Sequence, residues 1–390
     1  MVPKFRIVET PYVNRGALGL VQRLLGLNPD DDARARIKRH LGVASKKSLI
    51  DFFITRGGEM LNYPDSEKGW RPVAIKEGHK LLGNEDVDAI ISSSSPVTSH
   101  VIAKELMTSH KIPWIADLRD LWTQNHNYSY SQLRKMIDRR LELKTLSAAD
   151  ALVTVSRPWA DSLAALHKGK PTYCITNGFD PETVNLPPAR LTSKFTMTYT
   201  GNIYAVEHAP IKLFEALRDL ISENVMNQGD IEVRFYGNVA DWLKQEIKEY
   251  GLSGIVSLFG PVPREIALQK QRESTVLFLA KWQNPRELGA YSGKIFEYLA
   301  AMRPVLAIGG SHDVVTELLS ETGAGVDVPT AGDVKNALLK LHEAYKQNKV
   351  VDYGGVALKI DEYSHRQMAR RFSELLDGLA ENMTVIREPT

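Results

Sequence analysis

Short apolar runs alternate with helix-forming segments over most of this chain, and that alternation limits its fold more than any other feature. Parallel strands need crossover connections, which are usually helices, so the pattern predicts parallel sheets covered by helices on both faces. The predicted strands are residues 87–92, 112–116, 151–155, 172–176, 195–199, 231–236, 256–259, 275–280, 304–308 and 325–328. The predicted helices are residues 97–107, 131–146, 158–166, 210–222, 241–250, 264–271, 293–302, 313–321, 331–345 and 363–379, and helices and loops are expected over the first 85 residues.

The length of the chain predicts two domains, because 390 residues exceed one compact core at about 150 residues per domain. Residues 185–193, which include two adjacent prolines, have the composition of a connector, and the alternation restarts after them. We therefore predict an α/β fold with an N-terminal domain at 1–186 and a doubly wound C-terminal domain at 194–360. A C-terminal helical segment at 361–390 is expected to pack back toward the first domain.

Composition excludes several classes of protein. Lys and Arg outnumber Asp and Glu by only 49 to 47, so the chain lacks the cationic field that a nucleic-acid backbone attracts. A single cysteine, Cys174, makes neither an internal disulfide nor a multi-cysteine zinc site, which favours the cytoplasm. Because no window approaches the roughly 18 apolar residues of a spanning helix, any membrane contact is expected to be peripheral.

The usual motifs of several enzyme classes are also missing from the sequence. Neither the glycine fingerprint of dinucleotide binding nor the phosphate loop ending in glycine, lysine and serine or threonine follows a predicted strand. The 10 histidines form no pair at metal-ligand spacing, and no glycine-x-serine-x-glycine elbow marks a hydrolase. We expect no cofactor and no metal site.

Glycines and polar residues follow the predicted strands of the second half, where open parallel sheets bind their ligands. Any one glycine can simply suit a tight turn, but several at one sheet edge favour a ligand site at which phosphate approaches the backbone. The candidate residues at this edge are Thr200, Gly201, Asn202, Gly237, Gly260, Pro261 and Val262.

The predicted helix at 293–302 carries the densest pattern in the chain. Ser292 is a candidate N-cap, and Lys294 and Glu297 lie on one helical face because they are three residues apart. One interpretation is a surface ion pair. In the other, Glu297 accepts hydrogen bonds from ligand hydroxyls while Lys294 and the helix start at Ser292 and Gly293 meet phosphate.

With the segments 176–180 (TNGFD) and 199–202 (YTGN), this helix makes the chain resemble the retaining glycosyltransferases of GT-B type, most of all the bacterial family 4 enzymes that build surface polysaccharides. The resemblance implies two Rossmann-like domains that face a cleft, with a nucleotide-sugar donor on the second and the acceptor on the first. It assigns the ribose hydroxyls to Glu297, the donor phosphates to the loop around Gly201, and the base to the loop 260–262.

The chain departs from that family at two places. Position 289 is Gly289 where many members carry a second glutamate, although Glu287 is nearby. Arg119 stands about where many members have a histidine. The catalytic candidates are therefore Arg119, which would stabilise charge on the leaving diphosphate, and Asp117 or Asp120, which would orient the acceptor hydroxyl. The alternative is a salt-linked loop at a strand end.

The resemblance implies transfer of a hexose from a nucleoside diphosphate to a hydroxyl with retention. Non-hydrolysing nucleotide-sugar epimerases share the architecture and remain an alternative, as does a degenerate homologue that only binds nucleotide. The expected acceptor is lipid-linked or a saccharide. A basic helix at 131–146 would suit anionic lipid at the inner membrane face, but its acidic residues Asp138 and Glu142 favour a simply solvated helix.

The family's first domain opens with a strand, a glycine-rich loop, a helix and a second strand. Nothing comparable precedes residue 64, and residues 6–12 read as a later strand of that domain. We therefore expect the N-terminal domain to lack roughly one strand-helix-strand unit, about 30 residues or more.

Overall fold

The computed structural model describes residues 6–11, 62–128, 130–183, 189–203, 210–281 and 288–387. The chain forms two compact units: the first consists of Met1–Cys174 with Glu374–Thr390, and the second of Ile175–Ser373. The division lies ahead of the predicted connector, of which residues 184–188 fall outside the described part of the chain. The domain ranges given above stay predictions.

The first unit contains a parallel sheet of four strands in the order β1-β2-β3-β4. Its central strand β2 is buried along its whole length because it has a neighbour on each side, with Ile115 paired to Ile91 and Ala151. The described elements are α1 (Arg71–Leu82), β1 (Ile90–Ser94), α2 (Thr98–His110), β2 (Trp114–Leu118), α3 (Gln132–Leu146), β3 (Ala151–Thr154), α4 (Arg157–Leu166) and β4 (Thr172–Cys174), with a 3-10 turn at Ser66–Gly69.

The second unit contains a parallel sheet of six strands in the order β10-β9-β8-β5-β6-β7. Counted from β5 as the first strand, this is the doubly wound order 3-2-1-4-5-6 read from the opposite edge. The elements are β5 (Phe195–Thr200), α5 (Ile211–Ser222), β6 (Ile231–Tyr236), α6 (Asp241–Glu249), β7 (Val256–Gly260), α7 (Arg264–Arg272), β8 (Val276–Ala280), α8 (Gly293–Ala301), β9 (Val305–Ile308), α9 (Val314–Thr322), β10 (Gly325–Val328), α10 (Ala331–Asn348), α11 (Ala357–Asp361) and α12 (His365–Arg387).

Helices cover both faces of this second sheet. On one face Phe278 packs in a single buried cluster with Phe195 and Phe235. Its neighbours in β8, Leu277 and Leu279, belong to a second cluster with residues of α8 on the other face. Successive side chains of a strand point to opposite faces, so a strand between two helical layers must be apolar throughout, which is why the predicted strands read as continuous apolar runs.

The predicted strands and helices from residue 87 to 345 are confirmed within a few residues at their ends, whereas the last helix, predicted at 363–379, extends over His365–Arg387. The strand predicted near the N-terminus is wrong, because residues 6–11 have no regular structure. Ile7 is 74% exposed, so its apolar side chain marks no buried strand, and Pro11 lacks the N–H that a ladder needs. The missing strand-helix-strand unit bears on residues 12–61, which lie outside the described residues, and stays a prediction.

The sequence predicts α3 as a basic amphipathic helix with Leu133, Ile137 and Leu141 on one face, but that face is not the buried one, since Ile137 and Leu141 are only half-buried. Leu133 is 62% exposed and Met136 is 59% exposed. The side that packs on the unit instead carries Arg134, Asp138 and Glu142, all of them buried. The expectation that the two acids are solvated is therefore wrong.

Charged hydrogen bonds explain why that charged side of α3 is the buried one. Arg134 binds Asp138 through its Nε at 2.9 Å and donates to the carbonyls of Asn62 and Pro64. The guanidinium also lies 4.8 Å from the ring centroid of Tyr130. Buried charges are tolerated only when they are paired and hydrogen-bonded, and this one is.

One turn further along α3, Glu142 is also buried. Its Oε2 accepts hydrogen bonds from the hydroxyl and the N–H of Thr123, and Arg139 lies 3.5 Å from the same oxygen. Tyr128 donates its hydroxyl to Asp138 in the same way. Because Thr123 and Tyr128 follow strand β2, the charged side of α3 holds the loop that leaves that strand.

Removing Asp138 should destabilise the first unit strongly, because the substitution Asp138→Ala leaves Arg134 buried without its partner. We expect a loss of about 3–5 kcal/mol in the free energy of unfolding, measured by urea denaturation. The exposed pair Arg157–Asp161 has the same residue types at the same spacing, with an Nε–Oδ1 distance of 3.1 Å. As the matched control, Asp161→Ala should cost less than about 0.5 kcal/mol; equal losses in the two variants would contradict the role assigned to the buried pair.

Candidate functional site

The carboxyl ends of β5 and β8 lie at the point where the strand order of the second sheet reverses. The two strands are neighbours in the sheet, although two strands and three helices separate them along the chain. Helices that follow such strands run to opposite faces and leave a crevice between them, which is the usual ligand site of a doubly wound sheet. The loop after β5 and the helix α8, which follows β8, carry most of the predicted donor-binding residues.

Gly201 and Lys294 meet at this point. Gly201 has φ of 128°, a value that L side chains rarely adopt, and a Cβ there would overlap Cε of Lys294. The ammonium of Lys294 lies 5.4 Å from the ring centroid of Tyr199. The glycine therefore gives the lysine room to lie across the end of β5.

Burial lowers the pKa of Lys294 below the usual lysine range, and the nearby carboxylate of Glu297 opposes that shift. A partly desolvated ammonium favours an anion more strongly than a fully hydrated one, since less water has to be displaced. The two residues predicted from their spacing thus lie in one electrostatic environment.

The ends of β5, β6 and β7 are joined by backbone hydrogen bonds. Gly201 donates its N–H to the carbonyl of Tyr236 at 2.6 Å, and Gly237 donates to the carbonyl of Gly260 at 2.8 Å. Gly237 has φ of 132°, and a Cβ there would overlap the carbonyl oxygen of Gly201. The structure therefore brings three of the predicted glycines to one edge, and at two of them no other residue fits without a shift.

Thr200 and Asn202 support this edge from either side of Gly201. The buried Thr200 donates its N–H to the hydroxyl of Tyr298 at 3.1 Å and accepts a side-chain hydrogen bond from Gln271. Burial raises the pKa of Tyr298 to about 12, so its hydroxyl stays neutral. Oδ1 of Asn202 accepts the N–H of Asn238 at 2.8 Å. Both predicted residues thus have their side chains engaged within the protein.

Glu297 is held by a residue that the sequence interpretation missed. Gln271, fully buried in α7, donates its amide to Oε2 of Glu297 at 3.2 Å and to the hydroxyl of Thr200 at 2.8 Å. Arg264, at the start of α7, lies 3.5 Å from Oε1 of Glu297. A glutamine in a polar helix is usually solvated. Nothing in the sequence therefore indicated that Gln271 is buried between Glu297 and Thr200.

The start of α8 leaves backbone N–H groups at the crevice. Ser292 is the N-cap, as predicted, but its side chain makes no capping hydrogen bond. A Cβ at the exposed Gly293 would meet no atom within 4 Å. Free N–H groups and the positive end of the helix dipole together favour an anion at such a helix start.

The loop predicted to contact the base, residues 260–262, lies shortly before Arg264, the residue that is near Glu297. Gly260 has φ of 69°, Pro261 is exposed and Val262 is half-buried, and Arg264 follows at the first position of α7. Gly289 occupies a buried bend. Glu287, the nearest alternative to the second glutamate of the family, lies outside the described residues.

Lys281, at the end of β8, differs from Lys294 in having its charge compensated inside the protein. Its ammonium lies 3.0 Å from Asp313 and 2.9 Å from Asp327, and it also donates to the carbonyl of Ser311. The pair of carboxylates leaves no net positive charge for a ligand, so of these two lysines Lys294 is the anion-binding candidate.

In the first unit, residues at the carboxyl ends of β1 and β2 form a small polar group. Oδ2 of Asp117 accepts hydrogen bonds from Nε of Arg119 at 2.8 Å and from the hydroxyl of Ser93 at 2.9 Å. Asp120 is exposed. The salt link proposed as the alternative is present, and the other carboxylate oxygen of Asp117 is buried without a hydrogen bond in the described part of the chain. The catalytic roles of the three residues stay predictions.

The described residues contain no group of three or more His, Cys, Asp or Glu side chains that could hold a metal ion. No helix among them has the length and apolar content needed to cross a membrane.

Sequence and fold comparisons agree on the type of protein. The model of Glycosyltransferase Family 4 matches residues 29–183, which is less than half of the chain. No curated protein matches the chain by sequence.

Three solved structures show the fold similarity. Anabaena HepE in complex with UDP and glucose is 14% identical, with a TM-score of 0.57, and the match covers 79% of this chain and 82% of HepE. A glycosyltransferase from Rickettsia africae is 14% identical over 94% of this chain and 93% of its own, with a TM-score of 0.59. An α,α-trehalose 6-phosphate synthase from Burkholderia multivorans is 12% identical over 87% and 81%, also at 0.59. The predicted GT-B fold is confirmed, and with the family match it supports a GT-B glycosyltransferase.

The charge of Lys294 should control the binding of a nucleoside diphosphate in alkaline solution. Since burial lowers its pKa, the ammonium deprotonates at a lower pH than an ordinary lysine, and affinity should fall there by about tenfold, the worth of one charge-assisted hydrogen bond. Lys294→Arg, whose guanidinium stays charged, should give a flat profile by calorimetry. The exposed Lys340→Met serves as the control and should retain the alkaline fall. A wild-type profile as flat as that of Lys294→Arg would contradict the assignment.

Proposed function

We propose that this protein is a glycosyltransferase that moves a hexose from a nucleoside-diphosphate donor to a hydroxyl acceptor with retention of configuration. The GT-B fold and the family match support the reaction class. HepE, which shares the fold, binds UDP and UDP-glucose in its own structures. Those ligands indicate the chemical class of donor that we propose here.

The observation that carries the proposal is the arrangement of Lys294 and Glu297 across from Gly201. A nucleoside diphosphate presents anionic phosphates and a ribose with two hydroxyls, so it needs a cation with free N–H groups and a carboxylate a short distance away. Lys294 and the start of α8 meet the first need, and Glu297, held by Gln271, meets the second. The loop 260–262 would contact the base through its backbone groups.

We propose Asp117, Arg119 and Asp120 as the catalytic residues. Asp117 or Asp120 would orient the acceptor hydroxyl, and Arg119 would stabilise the charge on the leaving diphosphate. Retention without a carboxylate nucleophile implies departure and attack on the same face of the sugar, so catalysis would consist of positioning and of stabilising the leaving group. Neither a cofactor nor a metal ion is part of this mechanism.

The proposed pathway is the synthesis of a surface polysaccharide or glycolipid, with a lipid-linked or saccharide acceptor. The protein would work in the cytoplasm and, with a lipid-linked acceptor, in peripheral contact with the inner face of the membrane. The basic helix α3 supports this location, and its exposed side chains are described below.

Donor turnover tests the proposal. The protein is incubated with a panel of UDP-, GDP- and ADP-sugars in the presence of a lipid extract or oligosaccharides, with and without EDTA. We expect release of a nucleoside diphosphate only when an acceptor is present, unchanged by the chelator. Conversion of the donor to its epimer without an acceptor would establish the epimerase alternative, and binding without turnover the degenerate homologue. Loss of activity in EDTA that magnesium or manganese restores would refute the metal-free mechanism.

Glu297 should determine affinity for the ribose part of the ligand. Glu297→Ala is expected to weaken binding of the nucleoside diphosphate by about 1.5–3 kcal/mol, roughly 10- to 150-fold in Kd, because it removes hydrogen bonds to a charged acceptor. Binding of inorganic pyrophosphate, which has no ribose, should not change. Calorimetry measures both, and the exposed Glu343→Ala is the control. Equal loss for the two ligands would show that the substitution disturbs the phosphate site rather than a ribose contact, and unchanged affinity would remove Glu297 from the site.

A further inference from the structure

The outward side of α3 is an exposed stripe made of both apolar and cationic residues. Its members are Leu133, Met136, Ile137, Arg140, Leu143 and Lys144, which recur at spacings of three and four and so share one side of the helix. Leu133, Met136 and Leu143 are exposed leucine and methionine side chains, and Ile137 is half-buried. Single exposed apolar residues are ordinary on a protein surface, but a row of them along one helix marks a surface that binds something.

The buried charges of α3 prevent this stripe from turning inward. Arg134 and Asp138 are each 1% exposed at their side chains and pair with one another at 2.9 Å. Rotating the helix to bury Leu133 and Met136 would move the buried charged residues to the outer side. It would also break the hydrogen bonds that Arg134 donates to the carbonyls of Asn62 and Pro64. Breaking such a buried network is costly. The apolar stripe is therefore a stable property of the folded unit.

The charge on this side of the helix has one sign. Both acidic residues of α3, Asp138 and Glu142, are buried in hydrogen bonds and Arg139 pairs with Glu142, so the charges that α3 presents outward belong to Lys135, Arg140 and Lys144. Lys104 of α2 adds another cation, since it donates to the backbone carbonyl of Lys144. Burial, and after it the charge of the neighbouring Lys144, lowers the pKa of Lys104. The next residue of α2, Glu105, is paired with a cation, because its Oε2 lies 3.8 Å from Nη2 of Arg71.

We propose that the exposed stripe of α3 docks on an anionic lipid membrane. In this arrangement α3 lies in the plane of the interface, with Leu133, Met136 and Leu143 inserted among the acyl chains. The long side chains of Arg140 and Lys144 extend to the lipid phosphates. The proposal identifies the surface for the peripheral contact named above, and in that respect it rests on the proposed function.

The same charges argue against a second copy of the chain as the occupant. In a twofold contact two copies of the stripe would form one interface, which would enclose the cations of both copies without any anion of the stripe to compensate them. Like charges that lose their water repel strongly, whereas phosphate headgroups compensate them. An anionic bilayer satisfies the apolar residues and the cations together.

Sedimentation with lipid vesicles tests the proposal on the full chain. Wild-type protein should bind vesicles that contain phosphatidylglycerol, should bind pure phosphatidylcholine vesicles much less, and should lose binding as salt rises. Arg140→Gln with Lys144→Gln should lower the partition coefficient roughly 25-fold, because each cation near an anionic surface contributes roughly fivefold. Leu133→Ser with Met136→Ser should lower it on the same vesicles by removing the inserted groups.

Matched controls lie in the second unit. Leu358→Ser changes a leucine that is 84% exposed, and Lys340→Gln with Lys346→Gln removes two exposed lysines of α10. Both should bind vesicles as wild type does. Failure of wild type to bind phosphatidylglycerol vesicles, or equal losses in control and stripe variants, would overturn the proposal. So would a concentration-dependent dimer in ultracentrifugation that the stripe substitutions abolish.

The outcome is separable from that of the proposed function. The stripe variants should fold with unchanged thermal midpoints and bind nucleoside diphosphate as wild type does, because the stripe includes none of the residues assigned to the donor. Vesicle binding without donor turnover would leave the docking surface in place and refute the transferase. If the protein instead transfers sugar to a water-soluble acceptor but does not bind vesicles, the transferase is supported and the docking surface is refuted.

Discussion

Everything proposed for the second unit depends on the parallel pairing of β5 with β8. Because all six strands run the same way, their carboxyl ends lie at one edge, and the strand order reverses between these two. The loop after β5 and the N-terminal end of α8 are thereby brought to the same crevice, although about ninety residues separate them along the chain. An anion-binding site made of one loop and one helix start follows from topology before any side chain is considered.

Side chains then convert this general site into a specific one. A Cβ at Gly201 would overlap the end of the Lys294 side chain, so the glycine makes room for the lysine in its present position. Gln271 holds Glu297 and Thr200 with one amide group and thereby links α7, α8 and the end of β5. A buried amide that is shared in this way costs little only when both partners are present, so the carboxylate is positioned before any ligand arrives. Preorganisation of this kind is what recognition of ribose hydroxyls requires.

The strands and the site helix were predictable because local rules decide them. Strands covered on both faces read as continuous apolar runs, and residues three apart on a helix, such as Lys294 and Glu297, must share a face. Gln271 and Arg264 were not predictable, since their roles come from packing between helices that the sequence does not reveal. For α3, periodicity offered two stripes, and the rule that apolar residues face inward chose the one with Leu133 rather than the one with Arg134.

The reason that this rule fails for α3 is energetic as well as functional. Replacing a buried ion pair by apolar residues is often neutral or stabilising, so Arg134 and Asp138 are not needed to stabilise the first unit as such. Their geometry fixes one rotation of the helix, and the same side of α3 holds Thr123 and Tyr128 in the loop that leaves β2, the strand that carries Asp117 near its carboxyl end. A helix that meets its own unit through directional hydrogen bonds is free to present its apolar residues outward. The charged side of α3 thus orders a loop beside the candidate catalytic residues, while its apolar side is left for another surface.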